Sequence, residues 1–230
     1  MRQPTGFEKE FLVIGHRGAA GLAPENTLAS FRRAVELGVD AVELDVHVVD
    51  GELVVIHDDT VDRTTDGTGP VEDYGLAGLR ELDAGNGERI PLLEEVFETV
   101  PTSVGINVEL KGDGTGAVLA DRLRDGGRAV LVSSFDRQEL GEFHARRPEV
   151  PCAPLHHRLR RGMAAEARKL DAWSINVAEG LVDRTLIERL GAAGFPVLAY
   201  TVNDAARAAH LAELGVRGVF TDFPDRIDRP

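Results

Sequence analysis

Ala41-Val42-Glu43-Leu44-Asp45-Val46-His47-Val48 alternates aliphatic with ionisable side chains from Val42 onward. In an extended strand, residues two apart face the same way. Val42, Leu44 and Val46 therefore share one side, and Ala41, Glu43 and Asp45 share the other. In a closed barrel the apolar set packs against surrounding helices. The acidic set then points into the barrel, near the C-terminal end of the strand. Two carboxylates there are costly unless something cationic meets them. Ser103–Lys111 repeats the arrangement, with Val104, Ile106 and Val108 on one face and Asn107, Glu109 and Lys111 on the other.

Working outward, six more runs read as strands: Phe11–His16, Ala129–Phe135, Val150–Leu155, Ala172–Val177, Pro196–Val202 and Gly218–Thr221. Helical patterns alternate with them. Leu28, Phe31 and Val35 form one stripe, entered through Asn26 or Thr27 as N-cap and stopped at Gly38. Strand–helix alternation implies a parallel sheet. Eight such units in 230 residues fit an α/β, (β/α)8 TIM barrel better than an open doubly wound sheet. One region breaks the rhythm. Residues 51–100 form an insertion after the second strand: a tight turn at Gly51-Glu52, a short strand Leu53–His57 folding back, a polar loop Asp58–Gly69 and a helix Leu92–Val100. The insertion is expected to be too short and polar to bury a core of its own, so residues 1–230 are read as one barrel domain.

The formal net charge is −13, with 43% hydrophobic and 28% charged residues. Such an acidic chain is poorly suited to sequence-independent nucleic-acid binding or to anionic membrane surfaces. An anionic substrate would need a local reversal of sign from a bound cation or placed basic residues. Cys152 is the one cysteine, so no intrachain disulfide forms. The first residues, MRQPTGFEKEFLVIG, hold no apolar run followed by a cleavage site, and no stretch approaches the ~20 apolar residues of a membrane span. A cytoplasmic location is the expectation.

Three inward carboxylates, Glu43, Asp45 and Glu109, make a site for a hard divalent cation, Mg2+ or Ca2+. The competing reading is a set of structural ion pairs with Lys111 and Arg17. No Cys or His cluster has zinc spacing. The first strand ends in His16-Arg17-Gly18, and Leu12, Ile14 and His16 share a face. His57-Asp58 closes the extra strand. Taken singly, each histidine is more often structural than catalytic. Beside three carboxylates, two imidazoles supply a general base and a general acid for one displacement. His47 shares the parity of Glu43 and Asp45 but is read as lying beyond the barrel mouth, in a structural role. His144, His156, His157 and His210 carry no motif.

An ordered set of motifs spans nearly the whole chain: His16-Arg17-Gly18, Pro24-Glu25-Asn26-Thr27, Glu43-Leu44-Asp45-Val46, His57-Asp58, Arg63-Thr64-Thr65-Asp66-Gly67-Thr68-Gly69, Ile90-Pro91, Asn107-Val108-Glu109-Leu110-Lys111, Ser134-Phe135-Asp136 and Thr221-Asp222-Phe223-Pro224. In this order and spacing the chain resembles the glycerophosphodiester phosphodiesterases. The resemblance implies a (β/α)8 barrel with a small insertion after the second strand. It implies metal ligation by Glu43, Asp45 and Glu109, acid–base catalysis by His16 and His57, and phosphate contacts from Arg17 and Lys111. Glu25 and Asn26 would sit beside the site and orient its groups. Many relatives carry Trp before Thr-Val-Asn, where this chain has Tyr200-Thr201-Val202-Asn203, so Tyr200 would wall the substrate pocket with a phenol. The expected reaction is metal-dependent hydrolysis of a small-molecule glycerophosphodiester to an alcohol and sn-glycerol 3-phosphate. Lysophospholipase D-like activity on lipids and a non-catalytic phosphodiester-binding barrel are the alternatives.

Overall fold

The computed structural model describes residues 7–124 and 127–228; residues 1–6, part of the N-terminal reading, lie outside them. Among the described residues, nine strands are joined by eight α-helices. β1 (Leu12–Gly15) leads to α1 (Leu28–Glu36), then β2 (Ala41–Val49) and β3 (Glu52–Val55). α2 (Gly75–Glu81) and α3 (Leu93–Thr99) precede β4 (Gly105–Leu110). The regular repeat follows: α4 (Thr115–Arg122), β5 (Val130–Ser134), α5 (Arg137–Arg146), β6 (Cys152–His156), α6 (Met163–Lys169), β7 (Ile175–Ala178), α7 (Arg184–Ala192), β8 (Val197–Tyr200), α8 (Ala205–Leu214) and β9 (Gly218–Thr221). All strands but β3 pair in parallel, and β1 pairs with both β9 and β2, which closes the eight-stranded barrel. β3 runs antiparallel along the part of β2 that continues past the mouth, Val46 facing Val55 and Val49 facing Glu52.

Side-chain parity sorts into the two layers expected from the strand pattern. Val42, Leu44, Val46, Ile106 and Val108 join the large core between barrel and helices. Leu12, Ile14, Ala41, Leu131, Ala153, Leu198 and Phe220 fill the barrel interior. Local chemistry sets the helix starts at the mouth. Thr27 accepts a hydrogen bond from the Ser30 amide to begin α1, and Asp136, Asp183 and Asp204 do the same for α5, α7 and α8.

Two expectations about the insertion are corrected. The hairpin turn lies at Asp50-Gly51, both at positive φ (51° and 77°), one residue before the position read from sequence. Asp-Gly is the pair that a two-residue turn of this hand favours. The insertion also has a core: Val49, Val54, Ile56, Val61, Val71, Leu79, Ala84 and Ile90 are buried together. Val54 and Ile56 belong to the run Leu53–Ile56, but Val61, Val71, Leu79, Ala84 and Ile90 come from separate segments with polar residues between them, so no one period joins the set. They converge because β3, α2 and the loops between them fold over the extended end of β2.

The barrel end opposite the mouth is closed by Phe7. Its ring is fully buried and lies 5.5 Å from that of Trp173. A Cβ at Gly105 would come within 3.0 Å of it, so a side chain there would have to push the Phe7 ring aside. Phe7→Ala is expected to cost about 3–5 kcal/mol of stability, read by chemical denaturation, without altering the geometry at the mouth.

Candidate active site

The β2–β4 register sets Glu43 beside Asn107 and Asp45 beside Glu109. Carboxylate oxygens of Glu43, Asp45 and Glu109 all lie within 4.8 Å of one another. The three side chains are 3%, 1% and 8% exposed, so water screens them little. Burial, then the charges of Asp45 and Glu109, pushes the Glu43 carboxyl well above its ordinary range. Burial and Asp45 push Glu109 up to about 7. Asp45 is held low in spite of its burial, because Lys111 and Arg17 face it.

The cations that answer this charge are close. Lys111 Nζ lies 2.6 Å from Glu109 Oε1 and 3.5 Å from Asp45 Oδ1. Arg17 Nε is 3.5 Å from Asp45 Oδ2, and the Arg17 amide donates to Glu43 Oε2 at 2.9 Å. Asn26 Nδ2 donates to Asp45 Oδ2 at 2.9 Å. Glu43 Oε1 is buried with no hydrogen-bond partner among the described residues. Three converging carboxylates, one oxygen unsatisfied and no thiolate or imidazole among them, form a donor set that fits a hard divalent cation.

The loop after β1 supplies several of these contacts because of its backbone. Arg17 and Asn26 both take positive φ, 51° and 57°. Gly18 has φ +86°, and a Cβ there would fall 2.4 Å from Ser30 Oγ and 2.6 Å from its carbonyl carbon. Glycine is required so that the loop can lie against α1 and turn Arg17 toward β2.

Both histidines of the sequence reading line one cavity of about 260 Å3, together with Arg17, Glu43, Glu109, Lys111 and Tyr200. His16 Nδ1 donates to Asp222 Oδ1 at 2.7 Å, and its Nε2 is 4.0 Å from Glu43 Oε2. His57 Nδ1 donates to Asp58 Oδ1 at 2.5 Å. Burial lowers the His57 pKa against the opposing pull of Asp45. Each imidazole thus has one nitrogen tied to a carboxylate, leaving Nε2 for the cavity. His47 is buried beyond the mouth, its Nε2 3.3 Å from the His57 carbonyl oxygen.

Four residues to which the sequence assigned no role, Asp222, Asn203, Asp58 and Arg63, hold these groups. Asp222 orients His16 and is itself held by Asn203, whose Nδ2 donates to Asp222 Oδ2 at 2.7 Å. Asp58 and Glu25 are joined by Arg63, at 2.6 Å to Asp58 and 2.7 Å to Glu25. Glu25 also meets Arg17 at 2.7 Å, so a chain of alternating charge runs from His57 to Asp45. All four lie in the stretches quoted above, which was the available signal. Tyr200 stands on the opposite wall with Phe135, Leu155 and Phe220; its ring is 6.0 Å from that of Phe135, edge to face.

Among the described residues, no helix is long and apolar enough to cross a membrane. The family model for the glycerophosphoryl diester phosphodiesterase family matches residues 16–226. The Bacillus subtilis protein YhdW is 37% identical over 94% of this chain and 96% of its own length. A glycerophosphodiester phosphodiesterase of Caldanaerobacter subterraneus is 35% identical over 94% of this chain and 96% of its length. A phosphodiesterase of Oleispira antarctica, solved in complex with the product sn-glycerol-3-phosphate, superimposes with a TM-score of 0.89 at 34% identity, covering 96% of this chain and 97% of that one. The chain belongs to the glycerophosphoryl diester phosphodiesterase family and is a phosphodiesterase.

Proposed function

We propose that this enzyme hydrolyses glycerophosphodiesters to an alcohol and sn-glycerol 3-phosphate, with His16 and His57 as its proton carriers. The observation that carries the reading is the pair of carboxylate-backed imidazoles lining one cavity with the buried acidic cluster. The product bound to the Oleispira antarctica enzyme supports the substrate class.

A divalent cation, Mg2+ or Ca2+, held by Glu43, Asp45 and Glu109, would supply the positive charge that a phosphodiester needs as charge gathers on its oxygens. The remaining work falls to side chains. Arg17 and Lys111 face the non-bridging oxygens; Arg17 offers a planar fork and Lys111 a mobile ammonium. One imidazole takes the proton of the attacking oxygen, and the other returns one to the departing alcohol, so protons balance over the turnover. Asp222 and Asp58 hold the Nδ1 protons and fix which nitrogen works. Glu25, through Arg17 and Arg63, and Asn26, through Asp45, hold the basic and acidic groups apart. Tyr200, Phe135, Leu155 and Phe220 form a wall that keeps water from the alcohol.

The test is release of sn-glycerol 3-phosphate from a panel of glycerophosphodiesters, first with chelator and then with Mg2+ or Ca2+ restored. Release only with metal is expected; no release from any substrate with either metal would overturn the reading. Faster turnover of micellar lysophospholipid than of glycerophosphocholine would favour the lipid alternative instead.

His16→Ala and His57→Ala are each expected to lower kcat by about 10²–10⁴ with the circular dichroism spectrum unchanged. A near-normal rate for His57→Ala would remove that residue from the mechanism. Asp222→Asn tests the backing carboxylate. An amide has one acceptor oxygen, yet both His16 Nδ1–H and Asn203 Nδ2 donate to Asp222. One donor is left unmet or His16 changes tautomer, and kcat should fall about 10- to 100-fold while KM moves little. Equal losses in a variant whose His16 pH profile is untouched would point to a merely structural role.

A further inference from the structure

The loop after β6, His156-His157-Arg158-Leu159-Arg160-Arg161, is a basic run in a chain of net charge −13. It stands at the mouth of the barrel. Arg158 and Arg160 are exposed, and neither has a carboxylate within salt-bridge distance among the described residues. Both line a small cleft of about 40 Å3 that shares two walls, Phe135 and Leu155, with the active-site cavity. The dividing ring of Phe135 is 40% exposed. It sits 5.6 Å from the His157 ring on one side and 6.0 Å from Tyr200 on the other.

The other groups of the cleft are already engaged. Arg137 pairs with Glu166 and donates to the carbonyls of Ser134 (2.7 Å) and Leu155 (2.7 Å). It fastens the ends of β5 and β6 and has no charge to spare. Burial, then Arg137, lowers the His156 pKa to about 4, so this ring is neutral at working pH. The unspent positive charge belongs to Arg158 and Arg160.

We propose that Arg158 and Arg160 form a subsite for an anionic group on the leaving alcohol. The proposal rests on the phosphodiesterase reading above. Glycerol is neutral and short, so guanidiniums beyond Phe135 do nothing for it. Only a longer alcohol, passing over the Phe135 edge, reaches them. The cleft is small, about 40 Å3, and opens to solvent, so its two guanidiniums meet the exposed end of a compact anion, a phosphate monoester or a carboxylate. Enzyme specificity then runs toward anionic head groups and away from the quaternary ammonium of choline, which two arginines repel.

Glycerophosphoglycerol and its terminal phosphate monoester differ by the one group in question. With Mg2+ or Ca2+ present, wild type is expected to show a KM about tenfold lower for the phosphorylated substrate, a preference that shrinks as salt is added. In Arg158→Gln/Arg160→Gln the ratio of the two KM values should fall to about one. Equal KM values in wild type, or a preference that survives in the variant, would overturn the proposal. So would a variant that keeps the preference but loses adsorption to phosphatidylglycerol vesicles, which would make the loop a membrane contact. Failure to cleave either substrate would take down the phosphodiesterase reading itself, whereas cleavage of both without preference removes only the subsite.

Discussion

Three carboxylates buried at one barrel mouth repel one another, and the surrounding structure is arranged around that repulsion. The parallel pairing of β2 with β4 puts Asp45 directly beside Glu109, and Glu43 lies one inward position deeper. Losing Asp45 or Glu109 alone would leave Lys111 and Arg17 short of partners, so the acidic and basic groups stand or fall together. The carboxylates' charge is met from outside the barrel wall: Lys111 one inward position beyond Glu109, Arg17 from the loop after β1, and Asn26 from the start of α1. Even so, Glu43 and Glu109 are pushed up in pKa, and one Glu43 oxygen has no partner among the described residues. The acidic cluster thus concentrates unrelieved negative charge where barrel enzymes place their active sites, a donor set that fits a hard cation.

The same charge explains the reach of the network. Arg17 is held by Glu25, Glu25 by Arg63, and Arg63 by Asp58, which in turn orients His57. A polar loop that would otherwise move freely is thereby tied to the acidic cluster. On the other side, His16 is oriented from the far end of the chain, by an aspartate 206 residues away. Barrel closure, β1 against β9, is what brings these two together. Closing the barrel is thus what gives His16 its backing carboxylate.

Much of this was legible in the residues. Alternation within Ala41–Val48 and Ser103–Lys111 was enough to place Glu43, Asp45 and Glu109 inward, because strand parity is local and strict. Thr27 as a cap and Gly38 as a stop were readable for the same reason. What escaped depends on contacts between distant segments. Nothing near Asp222 says that it backs His16, and Arg63 shows its role only once its loop has folded over Glu25. The buried core of the insertion escaped because its members come from separate short segments, around Val54, Val61, Val71, Leu79 and Ile90, which meet only in the folded chain. His156 and His157 carried no motif, since their interest lies in the unpaired arginines that follow them at the mouth.

If Glu43, Asp45 and Glu109 together hold a divalent cation, binding it must stabilise the folded chain. Thermal unfolding of chelator-treated protein, followed as Mg2+ or Ca2+ is added, tests it directly. A ligand at about 100 times its dissociation constant adds roughly 2.7 kcal/mol to the folded state. The melting temperature of the wild type should therefore climb with added metal. Glu43→Gln, relieved of one repelling charge, should melt higher than wild type in chelator and respond far less to metal. A wild-type melting temperature indifferent to both ions, or an equal rise in the two proteins, would contradict the account.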